Sequence, residues 1–375
     1  MSIQAPTRIV IAADFLRPLF GDEKRCSTYA IVPWLRALLD WPLSQVCSLP
    51  VQTIGWGEGF DTPRFYRAIG RPTSIASWAA VHYSTDLPPA AQALIADAFA
   101  DSLVIGYELP PCVVNVLRRH SIPVIDMVVA PTRFLDDLLL GVRSTTRPIQ
   151  DRIETYRFDD AIAWQQAGLL RAKMAWTPFE PIGENTALIV GQVGLDSALI
   201  HRKQGRHLSF ADFVDKLFEV AQRHETVLYK PHPYEVSYGA SASVISRFKS
   251  FRRTDANFYQ LLSQPGLSSV YAISSGCVSE APYFRKTGAY FYQALHSFDT
   301  HTTADWGLFP LVAVDQHWMT PGFWHDLLEP VTDVRSGKWP ALASRAHRIR
   351  RSMNADWGFM PLDDVVASRL RATLA

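Results

Sequence analysis

The chain has 375 residues, 48% hydrophobic and 19% charged, a composition that suits a soluble globular protein with core enough for two domains. Thirty-seven Lys and Arg against 36 Asp and Glu leave a formal charge of +1, so no overall field draws it to nucleic acid or to an anionic membrane. Four scattered cysteines without a C-x-x-C, no apolar run of membrane-spanning length, and an N-terminus without a signal-peptide pattern lead us to expect a reduced, cytoplasmic protein.

In chain order, RIVIAAD (8–14) reads as a strand, STYAIVPWLRALLDW (27–41) as a helix and VQTIGW (51–56) as a strand. PAAQALIADAFAD (89–101) has helical spacing and SLVIGYE (102–108) is a strand. PPCVVNVLRRHS (110–121) is a helix opened by proline in its first turn, and PVIDMVV (123–129) is a strand. From about Thr145 to Pro181 the pattern is helical and ends in a Pro-containing stretch, as at a domain crossing. The alternation then restarts with strand 186–192, helix 209–224, strand 226–231, helix 257–265, strand 269–274, helix 279–288 and strand 289–292. The ending is helical, and its basic run Arg345 to Arg351 reads as a solvated helix face.

Two successive βα series predict an α/β protein of two facing Rossmann-like domains. The expected division is 1–175, joined by C-terminal helices 338–375 packing back on it, and 180–335. Neither a G-x-G-x-x-G after the first strand nor a P-loop is present, so dinucleotide and P-loop chemistry are poor readings.

Ligands of open α/β sheets bind beyond the carboxyl ends of the strands, which directs attention to the loops there. In VLYKPHPYE (227–235) two prolines force the backbone out of the sheet just after Lys230, presenting His232 and Pro233. In ISSGCVSEAPYF (273–284) Ser274 and Ser275 turn into a helix that carries Glu280. The two serines, Lys230 and His232 suit a phosphate ester, and Glu280 suits ribose hydroxyls. In ALIVGQVGLDSALIHR (187–202) Gln192 ends the strand and Asp196 lies in the loop, where an aspartate alone is a turn former or N-cap. Glu108 ends strand 102–108 at the matching edge of the first sheet. PVIDMVVAPTRFLDDL (123–138) adds Asp126, Arg133, Asp136 and Asp137, with FLDDL the start of a capped helix. The best metal candidate is the loop holding His296, Asp299, His301 and Asp305, but no H-x-x-x-H or H-E-x-x-H spacing supports it.

The ordered set VGQVGLDSALI, VLYKPHPYE and ISSGCVSEA, with GYELPP (106–111) and PVIDMVVAPTRFLDDL upstream, resembles the retaining β-Kdo transferases of capsule and O-antigen synthesis, which use CMP-β-Kdo. The similarity covers about residues 100 to 290; DWGLFP (305–310) and DWGFMP (356–361) are the nearest match to the Trp-Gly segment that follows in some of these enzymes. More distantly it is similar to bacterial sialyltransferases, which also take CMP-sugars. The resemblance implies a GT-B-like fold and a covalent glycosyl-enzyme, with Asp196 as nucleophile and His232 as the histidine of the HP pair. Glu108 matches the carboxylate that activates the acceptor, with Asp126 as runner-up. Because CMP has one phosphate, no metal or other cofactor is expected. The implied partners are the CMP-sugar and a glycan or lipid-linked glycan acceptor, with peripheral association at the inner membrane or with other assembly enzymes. Two rivals remain: an inverting CMP-sialic or nonulosonic acid transferase, and a non-catalytic sugar-nucleotide-binding component of an export complex.

Overall fold

The computed structural model describes residues 5–19, 27–176, 180–232, 244–245, 247–248, 250–298, 307–340 and 343–354. It is a mixed α/β fold with two sheets in which parallel pairings predominate.

The first sheet is built from β1 (Arg8–Ala12), β2 (Val51–Ile54), β3 (Ser102–Tyr107), β4 (Val124–Val129), β5 (Leu140–Ser144) and β11 (Val312–Val314), in the order β11-β5-β4-β3-β1-β2. β1 to β4 are parallel; β5 and β11 join antiparallel at one edge. The second sheet contains β6 (Thr186–Val190), β7 (Thr226–Lys230), β8 (Phe251–Arg253), β9 (Leu267–Ala272) and β10 (Thr287–Tyr290), in the order β10-β9-β6-β7-β8, all parallel. The central strands are short apolar runs because helices cover both of their faces. Ile9 and Ile11 of β1 enter one core and Val10 and Ala12 the other. β6 likewise divides Leu188 and Val190 from Ala187 and Ile189.

Helices wholly within the described residues include α1 (Ser27–Val46), α2 (Thr62–Ala68), α3 (Ile75–His82), α4 (Pro89–Ala98), α5 (Pro111–Arg119), α6 (Arg147–Glu154), α7 (Asp160–Ala175), α8 (Val214–Arg223), α9 (Phe258–Ser263), α10 (Cys277–Glu280), α11 (Pro321–Leu328) and α12 (Arg348–Ser352). Proline opens α4, α5 and α11, where its missing N–H is not needed. Residues 209–224, expected as one helix, split into a 3₁₀ turn at 210–213 and α8, with Ser209 and Asp212 capping each other reciprocally.

Two departures from the expected boundaries follow from packing. Helix α7 buries Ala163, Ala167, Leu170 and Met174 in the core of the second sheet, so the crossing comes near Phe158. The chain returns before residue 335, since β11 pairs with β5 and α11 buries Phe323, Trp324, Leu327 and Leu328 in the core of the first sheet. The two crossings touch where Phe158 donates its N–H to the carbonyl of Ala313, 2.8 Å away. Of the C-terminal helices, α12 packs Ile349 into the core of the first sheet, and residues 355–375 lie outside the described part. The basic run is not wholly a solvated face: Arg350 is 1% exposed.

Candidate active site at the carboxyl edges of the sheets

Because β6, β7 and β9 are parallel neighbours, the loops after them leave the second sheet side by side. The ladder runs one step past β6, with Gly191 N–H donating to the Lys230 carbonyl at 2.8 Å. Gln192 then ties two loops together. Its Oε1 accepts the Ser274 N–H at 2.8 Å, its Nε2 donates to Ser274 Oγ at 3.2 Å, and that hydroxyl donates to the Ala198 carbonyl at 2.6 Å. Ser274 is therefore buried, and together with Gln192 it braces the Asp196 loop. Ser275 remains partly exposed, and its Oγ accepts the Cys277 N–H at 3.4 Å.

Asp196 is the N-cap of a 3₁₀ turn, Ser197–Leu199, its Oδ1 accepting the Ala198 N–H at 2.9 Å. The turn-forming role thus exists. The residue is nonetheless exposed, and Oδ2 accepts no hydrogen bond from the described residues. Lys230 is half-buried, which pushes its ammonium pKa down, with Asp255 and Cys277 within electrostatic reach. His232 is half-buried two residues on, and Pro233 lies outside the described residues.

Glu280 departs from expectation. It is 1% exposed, and its Oε1 accepts the Arg133 N–H at 2.7 Å and the Tyr259 hydroxyl at 3.1 Å. Burial raises its pKa to about 7, against the pull of these donors. A carboxyl enclosed in this way latches the two carboxyl edges together.

From the first sheet, Glu108 follows β3 with its backbone at φ +49, a left-handed conformation that a glutamate rarely adopts. Its carboxyl pKa rises to about 8, first through burial and next through the negative charges of Asp196 and Asp126. It keeps some solvent-accessible surface, and its carboxyl takes no hydrogen bond from the described residues. Asp126, the runner-up, is 0% exposed. Its Oδ2 is held by Arg143 Nε and Nη2, both at 3.0 Å, and Oδ1 accepts the Leu109 N–H at 3.2 Å. It is a buried partner that fixes the turn carrying Glu108.

Two features at this place escaped the sequence reading. Asp14 follows β1 and accepts Trp78 Nε1–H at 2.8 Å and the N–H groups of Leu16 and Arg17 at 3.1 Å; burial lifts its pKa to about 6. The same strand-end rule that located Glu108 would have located it. The second is a docked loop. His207 lies 5.7 Å from the Trp78 ring, itself 5.4 Å from His82, and burial holds both histidines below their ordinary pKa, His82 to about 3. Gly205, at φ +59, lets that loop reach α3, since a Cβ there would lie 2.7 Å from Ala80 Cα.

The structure therefore brings together Asp196, Glu108 and the loops carrying Lys230 and Ser275. The open groove lined by Arg36, Trp41, Cys47 and Arg335 lies instead at the amino end of β2, away from these loops. Of the metal candidate, His296 is described, with burial pushing its pKa well down, while Asp299, His301 and Asp305 lie outside. Among the described residues no three His, Cys, Asp or Glu side chains are grouped to hold a metal ion, and no helix is long and apolar enough to cross a membrane.

Fold and site define a mixed α/β protein with an acidic and basic polar cluster where the carboxyl edges of its two parallel-rich sheets meet. Among solved structures, the chain is similar to Thermosulfurimonas dismutans KpsC, beta Kdo 2,7 transferase, with 11% identity and a TM-score of 0.38 over 76% of this chain and 80% of that one. It is also similar to KpsC, beta Kdo 2,4 transferase, from the same organism, with 13% identity and a TM-score of 0.36 over 75% and 78%. No protein-family model matches the chain, and no curated protein matches it.

Proposed function

We propose that the chain is a glycosyltransferase that moves Kdo from CMP-β-Kdo to a glycan acceptor with retention, in surface-polysaccharide synthesis. The reading is supported by two carboxylates, carried beyond strands of different sheets, that lie within electrostatic reach of each other. Asp196 is exposed with one oxygen uncommitted, and its charge helps raise the pKa of Glu108. The ordered motifs add the phosphate-binding side. In this reading the two sheets belong to facing Rossmann-like domains of a GT-B-like enzyme. CMP lies over the loops after β6, β7 and β9.

In the first step the bond from the anomeric carbon to the phosphate oxygen breaks. Lys230 and His232 stabilise the charge arriving on phosphate, and Asp196 Oδ2 closes on the opposite face to form an ester. In the second step an acceptor hydroxyl attacks the same carbon, Glu108 takes its proton, and Asp196 leaves as carboxylate. Two inversions restore the starting configuration. The electrostatics favour this order. Esterification removes the Asp196 charge, the second cause of the raised Glu108 pKa, so Glu108 ionises more readily when a base is needed. A single phosphate needs no bridging metal, so we propose metal-independent turnover.

One observation favours the inverting rival: Asp196 Oδ1 already serves its own turn, so Glu108 alone would act on the acceptor. Incubation with a panel of CMP-sugars, reading released CMP and intact-protein mass, tests both. CMP release with Kdo added to wild type but not to Asp196→Asn supports the covalent route. Release without any adduct, and full transfer by Asp196→Asn, leaves the inverting route. No CMP release from any donor rejects both, leaving the non-catalytic rival.

A further inference from the structure

The connection between β4 and β5 has no regular secondary structure over residues 130–139, yet it is held from three sides. From the second sheet, Glu280 accepts the Arg133 N–H at 2.7 Å, and Pro131 packs so near Gly276 that a Cβ there would lie 3.0 Å from the proline Cβ. From the C-terminal side, the buried Arg350 donates Nη2 to the carbonyls of Arg133 and Leu135 at 3.0 and 2.9 Å. Asp137 returns the contact by accepting the N–H groups of Ile349 and Arg350 at 2.9 and 3.0 Å. From α7, Gln166 donates to the Asp136 carboxylate at 2.8 Å and accepts the Asp136 N–H at 3.2 Å. Burying one arginine to fix the backbone of another is costly for a segment that need only join two strands.

The residue so fixed is Arg133, which is partly exposed. Its guanidinium lies within electrostatic reach of Glu108 on one side and of Glu280 and Cys277 on the other. Cys277 is in turn within reach of Lys230. A positive charge therefore stands within reach of Glu108 and of the Cys277 turn that neighbours the lysine loop, where on this reading the transferred sugar would lie. Its planar fork of N–H donors matches a carboxylate in two parallel hydrogen bonds, a geometry that a lysine cannot reproduce.

Resting on the CMP-sugar reading above, we propose that Arg133 is a specificity-determining residue that binds the carboxylate of the transferred sugar and is held ready by the Arg350 and Glu280 clamp. The donor then carries two anionic groups read by separate cations, its phosphate by the lysine loop and its sugar carboxylate by Arg133. CMP shares only the first of these, which gives the test its leverage.

The experiment compares wild type, Arg133→Gln and Arg133→Lys in the full chain, measuring KM for CMP-Kdo and inhibition by CMP. Losing a charged hydrogen-bonded pair is expected to raise donor KM about 10- to 100-fold in Arg133→Gln. CMP inhibition should stay unchanged, and Arg133→Lys should recover part of the loss. A parallel weakening of CMP would assign Arg133 to the phosphate, and an unchanged KM with a lower melting temperature would make it a counter-charge for Glu108 and Glu280; either result overturns the proposal. If Arg133→Gln does not fold, the same two constants in Arg133→Lys decide. Wild-type turnover with an indifferent Arg133 removes this inference alone, whereas a wild type that releases no CMP removes the functional reading with it.

Discussion

Replacing Glu108 by glutamine should make the protein more stable and less active at once, with the stability gain governed by pH. In the folded chain the carboxyl rises from its ordinary 4.5 to about 8. An acid whose pKa is higher folded than unfolded binds more protons in the folded state between those values, so its contribution to stability falls as pH rises from about 4.5 to about 8. Below that window the group is neutral in both states and costs nothing. Above it the carboxylate is charged in both, and the full penalty applies. At about 1.4 kcal/mol per pH unit, a wholly enclosed carboxyl would lose about 5 kcal/mol; Glu108 is partly open to solvent, and screening brings the expectation to about 1–3 kcal/mol. Glutamine keeps the shape and the same backbone demand at φ +49, so the difference isolates the charge. Asp14 and Glu280, raised in the same direction, are common to both proteins and largely cancel. Urea unfolding below pH 4.5 and above pH 8 measures it. The variant should match wild type in acid and exceed it in base. An equal gain at both, or a loss in base, would refute the assignment of Glu108 as a strained, charge-crowded acid.

His232→Ala should lower turnover with CMP-Kdo about 10²-fold or more through loss of leaving-group stabilisation; near-normal turnover would remove His232 from the site. Asp126→Asn leaves the buried Arg143 guanidinium without its counter-charge and should cost about 3–5 kcal/mol in urea unfolding, whereas a cost under 1 kcal/mol would show the pair to be solvated. Gly205→Ala places a Cβ 2.7 Å from Ala80 Cα at a positive φ, so thermal unfolding should report a loss of about 1–3 kcal/mol; an unchanged melting temperature would mean that the loop does not dock on α3 in solution.

Much of the framework was legible from local pattern. The runs at 8–12, 102–107, 124–129, 186–190 and 226–230 are apolar because strands covered on both faces must be, and the residues that end them stand at the carboxyl edge. That rule places Glu108, Asp196 and Lys230 at or just beyond strand ends from residue order alone. What no local pattern held was pairing over long separations. β11 is three residues long and becomes a strand only by joining β5, far earlier in the chain; Leu140–Ser144 carries Arg143, whose partner Asp126 is found only when β4 and β5 align. The sharing of α7 with the second core, and of α11 with the first, is likewise a matter of which surface lies opposite an apolar face. The same holds for the polar residues. Glu280 at the start of a helix reads as an accessible carboxylate, and Arg350 in a basic run reads as solvated. Both are buried because their partners, the backbone around Arg133 on one side and that of Leu135 on the other, come from another part of the chain. Residue type and spacing determine which groups are available to a site, but burial and pairing depend on what the fold sets against them, and those neighbours are distant in sequence.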